Sequence, residues 1–438
     1  MEFAQFILEH DGDDLSRLAL ARDRFAGQVE DFDLALNTLE ARRKLRAKVP
    51  EWVALPQLRF PFALSAEQCS STETARYKAA ILRNAISSTN KAENVDARSN
   101  LPVPSTNFGK NVDGFRVADL TGGLGVDSWA FAQVFGKVLY NEMRPELADA
   151  ARYNFAVLGV SNITVRNCTL GSKQGMTASV MADADRPSPV MTVMEILDDF
   201  RPDIIFLDPA RRAGDGRKVF RLEDCQPDVL QLLPELLAAC PRILLKLSPM
   251  ADITLVCKQL QNVKAVHVVA AEGECKELLL VLERDYDGPY SLTVYESGAV
   301  MEVADEGCSD VPKSVAEGGS CLFEPGKALL KAGAFELPCK FGLEKLGQHT
   351  HLYVGAEVPE ALRPFGKVFQ ILEVVPLNNK NIKDIGKRYP SAEVTARNIP
   401  ITSDELRKKM GVRSGGNIHI YGVRMDALQG NYLLVTSR

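Results

Sequence analysis

The stretch VADLTGGLGVDSWAFAQVF, residues 117–135, decides the fold. An apolar run ends at Asp119, and a helical pattern begins near Asp127. Between them lies a glycine-rich turn with four candidate ligand-binding residues, Thr121, Gly122, Gly123 and Gly125. Glycine allows positive φ and close approach of a ligand to the backbone, and the amides at a helix N-terminus favour an anionic group. The stretch therefore predicts a strand, a ligand-binding turn and a helix. A turn that only packs a strand against a helix is the alternative.

Short β-rich runs alternate with helical stretches from residue 115 to about 285. The runs are Arg116–Leu120, Lys137–Asn141, Ile163–Arg166, Asp203–Leu207, Arg242–Leu247, Ala265–Ala270 and Glu277–Leu282. Strands separated by helices require crossover connections, which give a mainly parallel sheet. Only Ala271–Lys276 separates the last two runs, so we expect an antiparallel hairpin at one edge of the sheet. The predicted fold class is α/β, with a Rossmann-like sheet of seven strands.

The N-terminal region, residues 1–97, is predicted to be a helical domain. Asp31–Lys48 places apolar residues at helical spacing with charges on the other faces. A second helix is predicted to start at Ser65, because Ser65 and Gln68 have the spacing of a capping box. The polar stretch Ser87–Thr106 predicts a loop.

The C-terminal region, from residue 286 onwards, predicts α+β domains. Strand-like sequence comes first, and a helix over Thr402–Met410 follows later in the region. Thr402 and Glu405 have capping-box spacing, and Gly411 is placed to end this helix. We divide the region at residue 345 into two domains, 286–345 and 346–438.

Composition excludes several classes of protein. The chain is 46% hydrophobic and 25% charged, which is typical of a folded globular protein and not of a disordered one. Its apolar runs are strand-length, whereas a membrane helix needs about 20 apolar residues. The acidic N-terminus lacks the basic segment of a signal peptide. Nine cysteines without a CxxC pair indicate free thiols in the cytoplasm. The five histidines give no metal-binding pattern, so we expect no metal site. Because no apolar run is long enough to span a membrane, we also expect no membrane partner.

A second candidate binding residue follows the next strand. Glu142 comes directly after Val138–Asn141 and twenty residues after Gly122. A carboxylate at this position can accept both ribose hydroxyls of an adenosine; a surface acid is the alternative. A dehydrogenase would have glycine near the strand exit, where this chain has Asp119. That arrangement suits a ligand that ends in an amino acid, whose ammonium the acid or nearby carbonyls can meet.

A third candidate segment, FLDPARR over 206–212, ends the fourth strand. Pro209 stiffens the turn, so that Asp208 faces the crevice where open α/β sheets bind ligands. Arg211 and Arg212 suit a phosphate or carboxylate, with loop salt bridges as an equal alternative. This segment therefore supplies three candidate site residues, Asp208, Pro209 and Arg211.

Two further segments each allow two interpretations. Lys246, at the end of the fifth strand, either orients a substrate in the crevice or is an ordinary strand-end lysine. Gln68–Thr72 either forms a lid over the ligand or simply starts a helix.

Together the three segments resemble motifs I, II and IV of class I S-adenosylmethionine-dependent methyltransferases. The helix region NEMRPELADAARYNFAVLG, 141–159, is similar to that of RNA-base methyltransferases in the superfamily. The resemblance implies that Asp119 and the glycines receive the methionine part of S-adenosyl-L-methionine and that Glu142 binds the ribose. It also implies that Met143 packs on the adenine beside Asn167. The methyl group is then expected to face Asp208, which makes Asp208, Pro209 and Arg211 the candidate catalytic residues. The chain also resembles a bacterial group in which a methyltransferase domain, here 98–285, precedes a ferredoxin-like domain and a THUMP-like domain.

The motif IV segment departs from the form found in amino methyltransferases. Ala210 and Arg211 replace the second proline and the aromatic residue, which argues against methylation of an exocyclic amine. No cysteine occupies the segment, so a covalent pyrimidine mechanism lacks its nucleophile there; Cys225 is a distant alternative. At the motif III position Asn167 or Cys168 stands in place of the usual acid.

Charge along the chain suggests a partner for the C-terminal region. Residues 341–438 carry 14 Lys and Arg against 9 Asp and Glu, a net +5, on a chain of net charge −5. The predicted contact residues are Lys380, Lys383, Lys387, Arg388, Arg397, Arg407, Lys408, Lys409 and Arg413, with Ser414–Gly416 as a phosphate-accepting nest. Because THUMP domains are associated with RNA, the resemblance implies a methyltransferase of structured RNA. The alternatives are a methyltransferase of a protein or small molecule, a non-catalytic protein that binds the cofactor or RNA, and a nicotinamide-dependent dehydrogenase.

Overall fold

The computed structural model of the protein describes residues 2–25, 27, 29–87, 112–171, 187–211, 222–303 and 316–438. The predicted loop over 87–106 lies, apart from Ser87, outside these residues. The chain divides into two compact units. The first unit contains Met1–Val266 and Glu277–Tyr290, and the second contains His267–Lys276 and Ser291–Arg438. No helix in the described part of the chain is both long and apolar enough to cross a membrane.

The N-terminal region of the first unit is helical, as predicted. Its helices are α1 (Phe3–His10), α2 (Leu15–Leu20), α3 (Arg22–Phe25), α4 (Phe32–Lys48), α5 (Pro50–Val53), α6 (Ala63–Gln68) and α7 (Thr72–Ser87). The predicted helix over 31–48 is confirmed as α4, and the Asp31 side chain accepts the Leu34 amide at 2.9 Å. The predicted capping box at Ser65 is wrong, because Ser65 lies inside α6. Ser71 caps α7 instead, since its hydroxyl accepts the Thr74 amide.

The first unit then builds an α/β sheet. Its main elements are β1 (Val112–Asp119), α8 (Val126–Ala132), β2 (Phe135–Asn141), α9 (Pro145–Val157), β3 (Ile163–Arg166), β4 (Thr169–Leu170), β5 (Val190–Met191), α10 (Val193–Leu197), β6 (Ile204–Leu207), β7 (Ala210–Arg211), β8 (Cys225–Gln226), α11 (Val229–Ala239), β9 (Arg242–Leu247), α12 (Ile253–Gln259), β10 (Val263–Ala271) and β11 (Glu274–Glu283). A 3-10 helix spans Leu222–Asp224. All seven strands expected from the sequence are present, in the spatial order β3-β2-β1-β6-β9-β11-β10.

The direction of these strands matches the prediction of a mainly parallel sheet. β1 is parallel to β2 and to β6, and β6 is parallel to β9. β11 is antiparallel to β9. Glu272 and Gly273, which connect β10 to β11, both have positive φ (54° and 77°), as tight hairpin turns require.

The second unit contains the tip of that hairpin and the rest of the chain. Its elements are β12 (Ser291–Glu296), β13 (Ala299–Val303), β14 (Cys321–Pro325), α13 (Lys327–Lys331), α14 (Leu337–Lys340), β15 (Glu344–Lys345), β16 (Tyr353–Gly355), a 3-10 helix (Glu360–Phe365), β17 (Gly366–Pro376), α15 (Asn379–Arg388), β18 (Glu393–Arg397), α16 (Ser403–Met410), β19 (Ile418–Met425) and β20 (Gly430–Ser437). The Ser297 amide donates to the Ala270 carbonyl at 3.1 Å, so β12 lies beside β10. β10 is therefore not an edge strand, which differs from the predicted position of the hairpin.

A seven-stranded sheet forms the core of the C-terminal region, in the order β15-β16-β14-β17-β20-β19-β18. Apolar side chains of α15 and α16 pack with those of β19 and β20. The predicted capping box of α16 is confirmed, with Thr402 and Glu405 hydrogen-bonded reciprocally, and Gly411 ends the helix with φ 72°. Local sequence predicted this helix well because its start and stop signals lie within ten residues of each other.

Candidate active site at the strand tips

The first two predicted site segments lie at neighbouring strand ends. In the parallel register, Asp119 of β1 is aligned with Tyr140 of β2 and with Phe206 of β6. Leu207 of β6 is aligned with Leu245 of β9. Because the carboxyl ends of parallel strands share one edge of a sheet, the residues that follow β1, β2 and β6 converge there.

Packing explains two of the glycines in the turn. A Cβ at Gly122 would lie 2.2 Å from the ring of Tyr140, and one at Gly125 would lie 2.8 Å from the ring of Phe155. Gly125 also has φ 93°, which disfavours any side chain. Gly123 is different: its φ is 52°, and the nearest heavy atom to an added Cβ is 3.9 Å away. Of these three glycines, Gly123 is thus the one that leaves open space beside the backbone.

We expect Gly122→Ala to destabilise the first unit by about 1–3 kcal/mol, because the added methyl group overpacks against Tyr140. Denaturant unfolding measures the change. Gly12→Ala is the control, since no heavy atom lies within 4 Å of its added Cβ. Equal stability of the two variants would contradict the packing role assigned to Gly122.

Asp119 is held inside the turn and is only 1% exposed. Its carboxyl accepts the Thr121 amide at 3.1 Å and the Ser128 hydroxyl at 2.6 Å. Burial raises the pKa of Asp119 to about 8, so the group is mostly protonated at neutral pH. The side chain therefore braces the turn and the start of α8 from within.

Glu142 reaches the glycine-rich turn from the tip of β2. Its Oε2 accepts the Gly123 amide at 2.8 Å, and its Oε1 accepts the Arg144 amide at 2.9 Å. Burial raises the pKa of Glu142, and the two amide bonds oppose that shift. Each carboxylate oxygen has a second acceptor site, so a ligand beside Gly123 can still hydrogen-bond to Glu142.

Asn167 stabilises the backbone next to Glu142. Its amide group donates to the carbonyl of Glu142 at 2.7 Å and to that of Met143 at 3.2 Å. Met143 itself is half-buried. Asn141, which sequence reasoning missed, plays a similar part: its side chain bonds both Leu120 and Cys168 backbone groups. Met143 and Asn167, which the resemblance places beside the adenine, thus lie next to Glu142.

The third predicted segment is tied directly to the turn. The Asp208 amide donates to the Thr121 hydroxyl at 2.6 Å, which joins the tips of β1 and β6. Pro209 is buried, and Arg211 pairs through its backbone with Cys225 in the β7–β8 ladder. The side chain of Arg211 and all of Arg212 lie outside the described residues.

Lys246 pairs with Asp208 at the end of β9. Its Nζ lies 2.5 Å from Asp208 Oδ2 and 3.7 Å from Glu277 Oε2. Burial alone would lower the pKa of Lys246, but Asp208, Glu277 and Asp127 outweigh it and raise the pKa. Lys246 is therefore an ammonium at neutral pH.

A second lysine lies deeper and was not predicted. Lys78 of α7 contacts Glu277 at 2.7 Å and Asp127 at 3.2 Å. The Ser70 hydroxyl contacts Lys78 at 3.0 Å and Asp127 at 2.8 Å. The segment Gln68–Thr72 thus lies against the start of α8 through Ser70; closure over a ligand is not tested. A sequence signal existed, because Lys78 interrupts the buried apolar stripe of Ala75, Ala79 and Leu82.

Comparisons with known proteins agree with this architecture. The crystal structure of a "putative methyltransferase" from Porphyromonas gingivalis W83 matches with a TM-score of 0.75 and 26% identity. The match covers 100% of this chain and 97% of that chain. The chain has the methyltransferase fold.

This methyltransferase fold is followed by two domains with family matches. Residues 322–361 match the ferredoxin-like domain family, and residues 366–438 match the THUMP-like domain family. The resemblance inferred from the sequence is confirmed in both parts. In the structure the strands of the two C-terminal matches join in one sheet, since β14 pairs with β17.

Partial matches to other solved structures are weaker. An rRNA methylase from Streptococcus thermophilus aligns with 39% of this chain and 87% of that chain, at 15% identity and a TM-score of 0.23. The T. thermophilus 16S rRNA N2 G1207 methyltransferase, solved with AdoMet and guanosine, aligns with 39% and 38% of the two chains, at 14% identity and a TM-score of 0.25. At such scores neither adds to the assignment. No curated protein matches the sequence.

Proposed function

We propose that the protein is an S-adenosylmethionine-dependent methyltransferase that modifies RNA. One observation carries the cofactor assignment: the Glu142 carboxylate meets the Gly123 amide at 2.8 Å. This contact brings the acid at the tip of β2 to the open point of the glycine-rich turn at the tip of β1. An adenosyl ligand needs that combination, a backbone turn at one end and a carboxylate for its ribose hydroxyls.

The residues present fit this cofactor. Gly123 has open space beside it, the Glu142 oxygens retain acceptor sites, and Met143 offers an apolar surface held by Asn167. When bound, the sulfonium supplies a methyl group. The candidate catalytic residue Asp208 lies at the next strand tip, linked to the turn through Thr121. Most of the rate enhancement is then expected from positioning of the acceptor.

Glu142→Gln should weaken binding of S-adenosylhomocysteine about 10- to 100-fold, because hydrogen bonds to a charged acceptor contribute about 1.5–3 kcal/mol. Isothermal titration calorimetry measures the affinity. Glu146→Gln, an exposed acid in the first turn of α9, is the matched control and should bind like the wild type. Tight binding of NAD with no binding of S-adenosylhomocysteine would instead support the dehydrogenase alternative.

Support for RNA comes from the THUMP-like domain and its charge. Of the nine predicted contact residues, three pair with the protein's own acids: Arg388 with Glu373, Arg397 with Glu324 and Arg407 with Asp404. The other six are exposed, and no described carboxylate forms an ion pair with them; they are Lys380, Lys383, Lys387, Lys408, Lys409 and Arg413.

Five of these residues lie on two helices, α15 and α16, whose last turns are in contact, and Arg413 follows α16. A Cβ at Gly386 of α15 would lie 2.0 Å from the Met410 carbonyl of α16, so the backbones meet there. Lys387 directly follows Gly386, and Lys409 directly precedes Met410. The arrangement concentrates positive charge for contact with a phosphate backbone. The predicted nest at 414–416 already binds an acid of the protein, because Glu393 accepts the Ser414 hydroxyl at 2.6 Å and a backbone hydrogen bond from Gly415.

Binding of total RNA should fall steeply with salt, and the triple substitution Lys408→Ala, Lys409→Ala, Arg413→Ala should reduce the slope of log K against log salt by about 2–3. Filter binding between 50 and 200 mM salt measures this. A control removes three other exposed lysines of the same unit, Lys327, Lys340 and Lys367. Salt-independent binding, or equal loss in both triple variants, would contradict this surface.

Transfer of a tritiated methyl group tests the function as a whole. The purified protein is incubated with labelled S-adenosylmethionine and with RNA, protein and metabolite pools from cells that lack the gene. Label in RNA supports the proposal. Label in protein or metabolites supports the corresponding alternative, and binding of the cofactor without transfer to any pool supports a non-catalytic role.

A further inference from the structure

Four charged side chains form a continuous buried path that ends at the candidate active site. We call Lys78, Glu277, Lys246 and Asp208 the buried charge chain. The successive contacts measure 2.7 Å, 3.7 Å and 2.5 Å. Side-chain exposure rises along it from 0% at Lys78 through 3% and 12% to 35% at Asp208. The buried charge chain is therefore exposed to solvent only towards Asp208, the end that lies at the strand tips.

The buried charge chain is costly to build, and packing does not require it. Ionic groups in a protein interior lose hydration, and apolar residues of similar volume are often as stable or more so. Lys78 lies in α7, Glu277 in β11 and Lys246 in β9, and Asp208 directly follows β6, so four separate elements hold the four residues. The buried charge chain holds the Lys246 ammonium and the Asp208 carboxylate side by side at the crevice.

This pair discriminates between methyl acceptors by charge. An amine nitrogen becomes positively charged as it attacks a methyl sulfonium, and a neighbouring ammonium opposes that change. A hydroxyl oxygen is a weak nucleophile that must give up its proton, and the oxygen gains negative charge as it does so. An ammonium stabilises that oxygen and a carboxylate can take its proton. Lys246 beside Asp208 therefore favours a hydroxyl acceptor.

We propose that the acceptor is the 2′-hydroxyl of an RNA ribose, with Asp208 as its proton acceptor and Lys246 as the cation that stabilises the oxygen. The inference rests on the proposed function, because RNA supplies this hydroxyl. Lys78 and Glu277 are positioning residues that hold Lys246.

The step balances in atoms and charge. The ribose oxygen forms a bond to the methyl carbon, and the bond between that carbon and the sulfonium sulfur breaks to leave a neutral thioether. The hydroxyl proton passes to Asp208, which is neutralised and then returns the proton to solvent through its exposed side. No oxidant, reductant or metal ion is needed.

Methylation of a pyrimidine carbon would need a thiolate, and the described cysteines near the site do not favour one. Burial raises the pKa of the Cys69 thiol to about 11. Cys225, which pairs with Arg211 across the β7–β8 ladder, is fully buried. Neither is suited to add to a base held at the strand tips.

Alkaline hydrolysis of the labelled RNA tests the acceptor. A 2′-O-methyl group blocks cleavage of the next phosphodiester, so the label should be recovered in alkali-stable dinucleotides. Label in mononucleotides would overturn the inference while leaving an RNA methyltransferase in place. Absence of label from RNA, with label in protein or metabolites, would overturn the proposed function as well.

Variants of Lys246 test the ammonium separately. Lys246→Met should lower incorporation of the labelled methyl group into RNA about 100- to 1000-fold. Lys246→Arg keeps the charge and should therefore be at least about tenfold more active than Lys246→Met. Calorimetry with S-adenosylhomocysteine should give affinities within about twofold of wild type for both variants. Lys258→Met, an exposed lysine on α12, is the control. Incorporation by Lys246→Met at the wild-type level, or a parallel loss of S-adenosylhomocysteine binding, would overturn the assigned role.

Discussion

Asp208→Asn should lower the turnover number about 10²- to 10⁴-fold, the range that a positioned proton acceptor contributes. Asparagine has nearly the same shape, and the backbone amide that donates to Thr121 at 2.6 Å is unchanged. The variant loses the charge that pairs with Lys246 at 2.5 Å and the oxygen that can take a proton. The predicted loss is therefore chemical and not structural.

Single-turnover methyl transfer to the RNA pool measures the rate, and calorimetry with S-adenosylhomocysteine measures binding in the same preparation. Binding should stay within about twofold of wild type. Asp198→Asn, an exposed acid after α10, should leave the rate unchanged. An unchanged rate in Asp208→Asn would remove Asp208 from the mechanism, and a matching fall in binding would assign it to the cofactor site instead.

Lys78→Met should destabilise the first unit by about 3–5 kcal/mol, the cost of breaking a buried ion pair by removing one partner. Lys78 is fully buried, and its loss removes the ammonium that contacts Glu277 at 2.7 Å and Asp127 at 3.2 Å. Glu277 then keeps only the longer contact with Lys246, at 3.7 Å. The methylene stem of lysine is replaced by a side chain of similar length, so lost packing is a minor part of the effect.

Tryptophan fluorescence during denaturant unfolding reports this change selectively. The two tryptophans of the chain, Trp52 and Trp129, both belong to the first unit, and their rings are 6.0 Å apart. Lys44→Met, at an exposed pair with Glu40 and Glu67, should leave the midpoint unchanged. The double variant Lys78→Met, Glu277→Gln should lose less stability than the sum of the single variants. Additive losses would show that the two residues do not interact.

Most of the fold was predicted from patterns within short segments of the sequence. Apolar periodicity and turn residues depend on residues that are close together in the sequence. They therefore predicted the strand before Asp119, the glycine-rich turn and the seven β-rich runs. The helix after Thr402 was placed for the same reason. Where two local signals competed, the prediction was wrong: Ser65 has capping-box spacing, but Ser71 caps the helix.

The candidate site was predicted in part. The residues at the strand tips, such as Glu142 and Asp208, follow apolar runs, and parallel topology brings such positions together. The roles of the glycines were not readable in the same way, since Gly122 and Gly125 make room for Tyr140 and Phe155. Likewise Ser414–Gly416 has the sequence of an anion nest, but Glu393 of β18 binds there.

The sequence by itself determined the order of strands and helices, the turn that follows Asp119 and the position of Glu142 after β2. Only the tertiary structure decided which charges meet, because Lys78 and Glu277 are 199 residues apart in the chain. A charge inside an apolar pattern shows that it will be buried, but the identity of its partner depends on which elements pack together. Lys246 contacts both Glu277 and Asp208 for the same reason, and the proposed chemistry rests on that pairing.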